Sequence, residues 1–234
     1  TQLIYSIEND NELQNFYQSY ATNSNTVFHN QFVNYLMDSG IDVEYYMPFG
    51  KKHERTDLVP DISNIAADKL FLAKWFVENL GIQENKKIGF ENIEEENISS
   101  CPVHISLWKG KRERNLFFDG EKENELSALG KNFIQGILYH EDSIKAIIKS
   151  CTSYEVKNYA TKYSTVRDNS IIQVPLYFNE KKKRDRIGWS KRCIYNGLNA
   201  DCNYYLVFSA LLYAGLYGIN NIDNEEVYST ELKS

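Results

Sequence analysis

Nothing in this 234-residue chain approaches the roughly 20 consecutive apolar residues that a membrane span needs. Its first segment also lacks the basic-then-apolar pattern of a secretory leader. It opens on Thr1 rather than a methionine, which leaves room for a longer N-terminal region. Cysteine is scarce: Cys101, Cys151, Cys193 and Cys202 are all there are, and none stands in a C-x-x-C pair. A chain of this length needs no covalent staples, so reduced thiols and a cytoplasmic setting are expected. A basic excess is missing too. Lys+Arg 26 against Asp+Glu 32 gives a net charge of −6. Phosphate backbones are bound by clustered basic faces, so nucleic acid is not an expected partner. The one basic run, EKKKRDR at 180–186, is short and mixed and reads as a solvated loop.

What is present is core-forming. The hydrophobic fraction is 42%, and 14% of residues are aromatic, too many for a disordered chain. LIYSIE (Leu3–Glu8) reads as a strand, and IDVEYYM (Ile41–Met47) as another. Phe32, Tyr35 and Leu36 fall at helical spacing, with Gly40 as the stop. Pro48–Pro60 reads as a charged loop, and Asn64–Leu80 as an amphipathic helix ended by Gly81. A short strand is expected at Lys87–Asn92. Alternation over Pro102–Lys109 sets Val103, Ile105 and Leu107 against His104, Ser106 and Trp108. A strand at Leu116–Phe118 leads to two consecutive helices, Glu125–Tyr139 and Glu141–Ser150, broken near His140. Strands at Ile171–Phe178 and Ser190–Asn196 precede Asn203–Ile219, a helix apolar on nearly all sides. Strands alternating with helices and hairpin-like pairs indicate an α+β fold.

Several segments, in order, resemble the catalytic domain of glutamine synthetases. GIDVEYYM looks like that family's acidic strand, and AADKLFLAKWFVENL like its A-A-D helix. CPVHISLW resembles M-H-V-H-Q-S-L-W, and NLFFD resembles N-L-F-Y-D. LSALGKNFIQGILYH resembles L-S-x-x-G-x-x-F-I-x-G-L-L-x-H. NYYLVFSALLYAGLYGINN resembles N-P-Y-L-x-x-A-A-L-L-x-A-G-L-x-G-I. The resemblance implies one catalytic-like domain over 1–234, with a mainly antiparallel curved sheet flanked by helices and without the family's small N-terminal domain. Members join ammonia to glutamate using ATP, through a phosphorylated γ-carboxylate and with Mg²⁺ or Mn²⁺ held chiefly by glutamates and one histidine.

Carried over residue by residue, the resemblance divides the site in two. On the nucleotide side Glu44, His104, Ser106 and Arg192 match, which implies ATP as the cofactor. On the metal side only Glu54 matches. Pro102 stands where a histidine ligand belongs, Ile194 where a glutamate belongs, and no acid occurs between Tyr45 and His53. The positions of glutamate-binding arginines fall on Val156, Gln173 and Asn196, and Ile98 replaces a glycine of N-G-S-G. Each matched residue also has an ordinary structural role open to it: a hydrogen-bonded strand histidine, a structural ion pair, a strand-end or loop acid. The losses imply impaired or absent glutamate–ammonia ligation, a doubtful Mg²⁺ or Mn²⁺ site, and a nucleotide-binding or partner-binding role, as a homo-oligomer or with another protein. The alternative is an active ATP-dependent carboxylate–amine ligase with an altered metal site and substrate.

Overall fold

The computed structural model describes residues 1–8, 24–49, 53–91, 99–166, 168–176 and 190–221. It divides into two compact units interleaved along the chain. The first comprises Thr1–Pro102, Cys151–Glu155 and Leu198–Tyr205. The second comprises Val103–Ser150, Val156–Gly197 and Leu206–Ser234.

The first unit is a four-stranded antiparallel sheet covered on one face by two helices. The strands are β1 (Gln2–Glu8), β2 (Val43–Phe49), β3 (His53–Leu58) and β4 (Lys87–Gly89), in the order β2-β3-β1-β4. Leu3, Tyr5 and Ile7 of β1 and Glu54, Thr56 and Leu58 of β3 are buried, and the register Tyr5↔Glu54 and Leu3↔Thr56 puts them on one face. Helix α1 (Ser24–Asp38) lies on that face through Phe28, His29, Phe32 and Leu36. The Phe32 ring meets Tyr5 edge-on with centroids 5.6 Å apart. Gly40 ends the helix as its position suggests: its φ is +76°, its N–H donates to the Met37 carbonyl, and Ile41 N–H reaches back to Leu36. Helix α2 (Ser63–Gln83) buries Ala67, Leu70, Ala73, Val77 and Leu80. It passes so close to β4 that a Cβ on Gly81 would stand 2.6 Å from Ile88.

The second unit holds the sheet β5-β10-β9-β8 and a two-stranded hairpin, β6 (Trp108–Lys109) with β7 (Arg114–Asn115). Its strands are β5 (Val103–Ile105), β8 (Ala160–Ser164), β9 (Ser170–Gln173) and β10 (Cys193–Tyr195). β5 and β9 flank β10 antiparallel, and β8 runs parallel to β9. Helices α3 (Ala128–Tyr139), α4 (Glu141–Cys151) and α5 (Tyr204–Asn221) complete the described elements. Ser127 caps α3 by accepting the Gly130 N–H at 3.0 Å. The glycines of the motif LSALGKNFIQGILYH serve helix packing. A Cβ on Gly136 would meet the Ala214 carbonyl and lie 2.6 Å from Gly218 N and 2.7 Å from Gly218 Cα.

The α+β class is as expected from the sequence, and the elements differ in three places. Pro48–Pro60 is not a loop throughout, because His53–Leu58 forms β3 in the centre of a sheet. β8 adds a strand at Ala160–Ser164. The strand expected at Leu116–Phe118 is instead β7 at Arg114–Asn115 plus a single bridge from Phe118 to Leu126. Among the described residues the strands form two four-stranded sheets and one two-stranded hairpin, mostly antiparallel. The amphipathic piece near Leu13–Tyr20, Ile98 and the basic run 180–186 lie outside the described residues.

Candidate functional site

In the second unit, β10 sets three positions in one row. Ile194 pairs with His104 on β5 and with Gln173 on β9. Directly opposed residues of antiparallel strands share a face, so His104, Ile194 and Gln173 form one surface strip, and all three are half-buried. The β5–β10 pairing ends at Cys193↔Ile105, and Ser106 and Arg192 each lie one residue past that last pair. His104 thus lies within the paired strip, and Ser106 and Arg192 lie next to its end in sequence.

Their chemistry is polar and cationic. Arg192 is half-buried, and its Nε is buried with no hydrogen-bond partner among the described residues. A buried guanidinium N–H without a protein acceptor is costly, and an anion supplied from outside removes that cost. The Ser106 hydroxyl accepts from the Trp108 indole N–H at 2.9 Å, which leaves its own proton free to donate elsewhere. The strip lacks acids and further arginines at the three aligned positions. Ile194 is apolar, and the Gln173 amide leans to the Asp168 carbonyl at 3.5 Å. Asn196 is buried, with its amide donating to the Ser170 carbonyl at 3.2 Å, so it serves strand packing.

The opposite face of this sheet is buried structure. The Tyr195 hydroxyl donates to Glu141 at 3.5 Å, and the Lys145 ammonium lies 3.6 Å from the same carboxylate. Burial pushes the Glu141 carboxyl up to about 7, against the opposing pull of Lys145. Lys191 is wholly buried, with its ammonium donating to the carbonyls of Asn124 at 2.5 Å and Pro175 at 3.4 Å. The Asn115 amide donates to the Lys191 carbonyl at 2.7 Å while its oxygen accepts the Phe117 N–H at 2.9 Å.

In the first unit Glu54 lies beneath α1. Its carboxylate is 4.0 Å from His29 Nδ1, which stands 2.5 Å from the Tyr5 hydroxyl, and the Tyr46 ring covers the imidazole. Burial pushes the Glu54 carboxyl up to about 8 and His29 down to about 4, and it pushes Tyr5 well up as well. All three are thus neutral near pH 7, and the imidazole tautomer sets which of Tyr5 and His29 Nδ1 donates in their hydrogen bond. His29 and Tyr5 were not legible as site residues, because helix and strand meet here only through the tertiary fold.

The other face of the same sheet carries His53, Arg55 and Asp57. Arg55 grips Asp57 with two hydrogen bonds of 2.7 and 2.5 Å, and Gln2 donates to the same carboxylate at 3.2 Å. His53 Nε2 lies 3.7 Å from Glu91, whose carboxyl is pulled down to about 2, chiefly by the nearby His53. Glu44 is exposed at the irregularity in β2, where the pairing steps from Val43↔Leu58 to Tyr45↔Asp57. Among the described residues, no three His, Cys, Asp or Glu side chains converge as a metal-holding group. Hydrated divalent ions need several oxygen ligands, and a neutral carboxyl under a helix supplies a poor one, so the residues described do not fit such an ion.

Residues 3–231 match the family model described as the catalytic domain of glutamine synthetase. The chain belongs to the glutamine synthetase family. It is similar to the glutamine synthetase of Sulfolobus acidocaldarius, with 32% identity over 164 residues, covering 65% of this chain and 33% of that one. The glutamine synthetase of Archaeoglobus fulgidus is 28% identical over 211 residues, 82% of this chain and 40% of the relative. The chain therefore spans between a third and two fifths of these curated relatives. Among solved structures, the Plasmodium falciparum glutamine synthetase superposes with a TM-score of 0.72 at 17% identity, covering 95% of this chain and 51% of that one. A glutamine synthase homologue superposes at 0.70 with 16% identity, over 94% of this chain and 54% of the other. These likenesses show the fold. No helix among the described residues is long and apolar enough to cross a membrane.

Proposed function

We propose that this glutamine synthetase-family chain binds a nucleotide at the strip formed by His104, Ser106 and Arg192 and does not itself join glutamate to ammonia. Its role on this reading is regulatory, through a nucleotide and through association with a second copy or another protein of the cytoplasm. The observation that carries it is the row His104–Ile194–Gln173. A polar group is kept on the nucleotide side, while the branched apolar side chain of Ile194 and the amide of Gln173 stand where the resemblance requires a metal-binding glutamate and a substrate-binding arginine. Phosphoryl transfer to a carboxylate develops charge that divalent ions normally neutralise, and an apolar side chain resists a hydrated ion. Glu54, the metal-side match, is spent under α1 beside His29. Arg192, whose buried Nε has no hydrogen-bond partner among the described residues, supports the nucleotide half of the reading. Glu44 is carried with that half on the resemblance.

The test is formation of γ-glutamyl hydroxamate from glutamate, hydroxylamine and ATP with Mg²⁺ or Mn²⁺. No product above the heat-inactivated control is expected, and ATP-dependent product would overturn the reading. The second reading, an ATP-dependent ligase for another carboxylate or amine, draws on the same face, since His104 and Arg192 are kept. It requires phosphate release on some member of a panel of amines, abolished by Arg192→Ala.

A further inference from the structure

Cys151 closes α4, and Cys202 lies in the turn ahead of α5. They are 51 residues apart and belong to the same compact unit. The chain segments around them are pinned to each other on both sides. The Thr152 hydroxyl donates to Asp201 Oδ1 at 2.5 Å, and the Ser153 N–H donates to Asp201 Oδ2 at 2.6 Å. The Asn199 amide reaches Thr152 Oγ1 at 3.3 Å and the Glu155 carbonyl at 3.5 Å. Between these contacts the two thiols are close enough that Cys151 contributes to raising the Cys202 thiol. Cys202 is buried and its N–H is bonded to the Asn199 carbonyl, while Cys151 is half-buried and open to a small reagent. Neighbouring residues held by four hydrogen bonds fix the two cysteines beside each other, the approach a disulfide needs.

We propose that Cys151 and Cys202 are an oxidation site: peroxide converts the reduced pair to a disulfide joining the end of α4 to the turn before α5, and thiols reverse it. The Cys151 thiolate attacks a peroxide oxygen, the O–O bond breaks, and hydroxide leaves and is protonated to water, giving a sulfenic acid. The Cys202 sulfur then attacks the Cys151 sulfur. The S–O bond breaks, and the leaving hydroxide takes the Cys202 proton as a second water. Two thiols and one peroxide thus give one disulfide and two waters, with two electrons passing from sulfur to oxygen. Burial, with Cys151 and the Asp201 charge beside it, pushes the Cys202 thiol up, so the more accessible Cys151 is oxidised first and closure of the bond quickens as pH rises.

Cys101 and Cys193 are fully buried and serve as internal references. The full chain is treated with hydrogen peroxide, unfolded in alkylating reagent and mapped by mass spectrometry. Cys151 and Cys202 should lose alkylation together, appear in one cross-linked peptide, and recover with dithiothreitol, while Cys101 and Cys193 stay alkylated. In Cys202→Ser, Cys151 should stop at a sulfenic acid that dimedone traps. Oxidation of Cys151 to sulfinic acid with Cys202 still alkylatable, or cross-links between two chains through Cys151, would overturn the proposal.

Discussion

Replacing Glu54 with glutamine separates the two roles open to this residue, a ligand for a divalent ion and a buried neutral acid under α1. In the folded chain its carboxyl ionises near 8, against an ordinary value of 4.5. A carboxyl raised in this way stabilises the fold fully below the unfolded value. That contribution is lost as pH rises between 4.5 and 8, because the unfolded chain gives up the proton first. At about 1.4 kcal/mol per pH unit the loss is of order 5 kcal/mol at most, and less where the cluster relaxes toward water. His29 works in the opposite direction. Its folded value near 4 lies below its ordinary 6.5, so stability falls as pH drops through that window. The two slopes offset each other between 4.5 and 6.5 and leave Glu54 alone to act from there to 8. Urea unfolding of wild type and Glu54→Gln at about pH 5, 7 and 9 reads this directly. The variant should match wild type within about 1 kcal/mol at the lowest pH and exceed it by several kcal/mol at the highest. Parallel pH profiles would refute the buried-acid account. So would stabilisation of wild type by Mg²⁺ that the variant lacks.

Three further outcomes test other parts of the structure. Gly136→Ala places a methyl group against the backbone of α5, which no rotamer relieves, so the helices must part. It should cost about 1–3 kcal/mol in urea unfolding, whereas an alanine in an open helix gains about 1 kcal/mol over glycine. Asn115→Ala orphans the Lys191 carbonyl and the Phe117 N–H together and should lower stability by about 2–4 kcal/mol in the same assay. Arg192→Ala should weaken ATP binding about ten- to a hundredfold by calorimetry with little change in melting temperature, and Arg192→Lys should recover only part.

Much of this was legible in the chain where signals are local. Alternation placed His104 and Ser106 on one side of β5, and cross-strand register then carried that pattern to Ile194 and Gln173. The close packing of α3 on α5 at Gly136 and Gly218 came only from the tertiary fold. β3 was hidden because HERTDL reads as a polar loop. Its place between β1 and β2 overrides that composition, burying Glu54 and Thr56 on the α1 face. β8 is short and carries no strong apolar alternation, so its pairing with β9 came only from the tertiary fold. The match of Glu54 to a metal ligand rested on its spacing after Gly50, and spacing alone does not say which face of a strand a side chain takes. His29 beside Tyr5, and Cys151 beside Cys202, join residues far apart in sequence that no local pattern links.

The central claim is a family fold that keeps a nucleotide-facing cation and lacks the ligands for a catalytic metal. Calorimetric titration of the chain with ATP, in the presence and absence of Mg²⁺, tests it most directly. The account predicts binding of similar strength in both conditions, weakened about ten- to a hundredfold in Arg192→Ala. Tight binding only with Mg²⁺ would contradict it by requiring a metal held at this site, and no binding in either condition would contradict the nucleotide assignment itself.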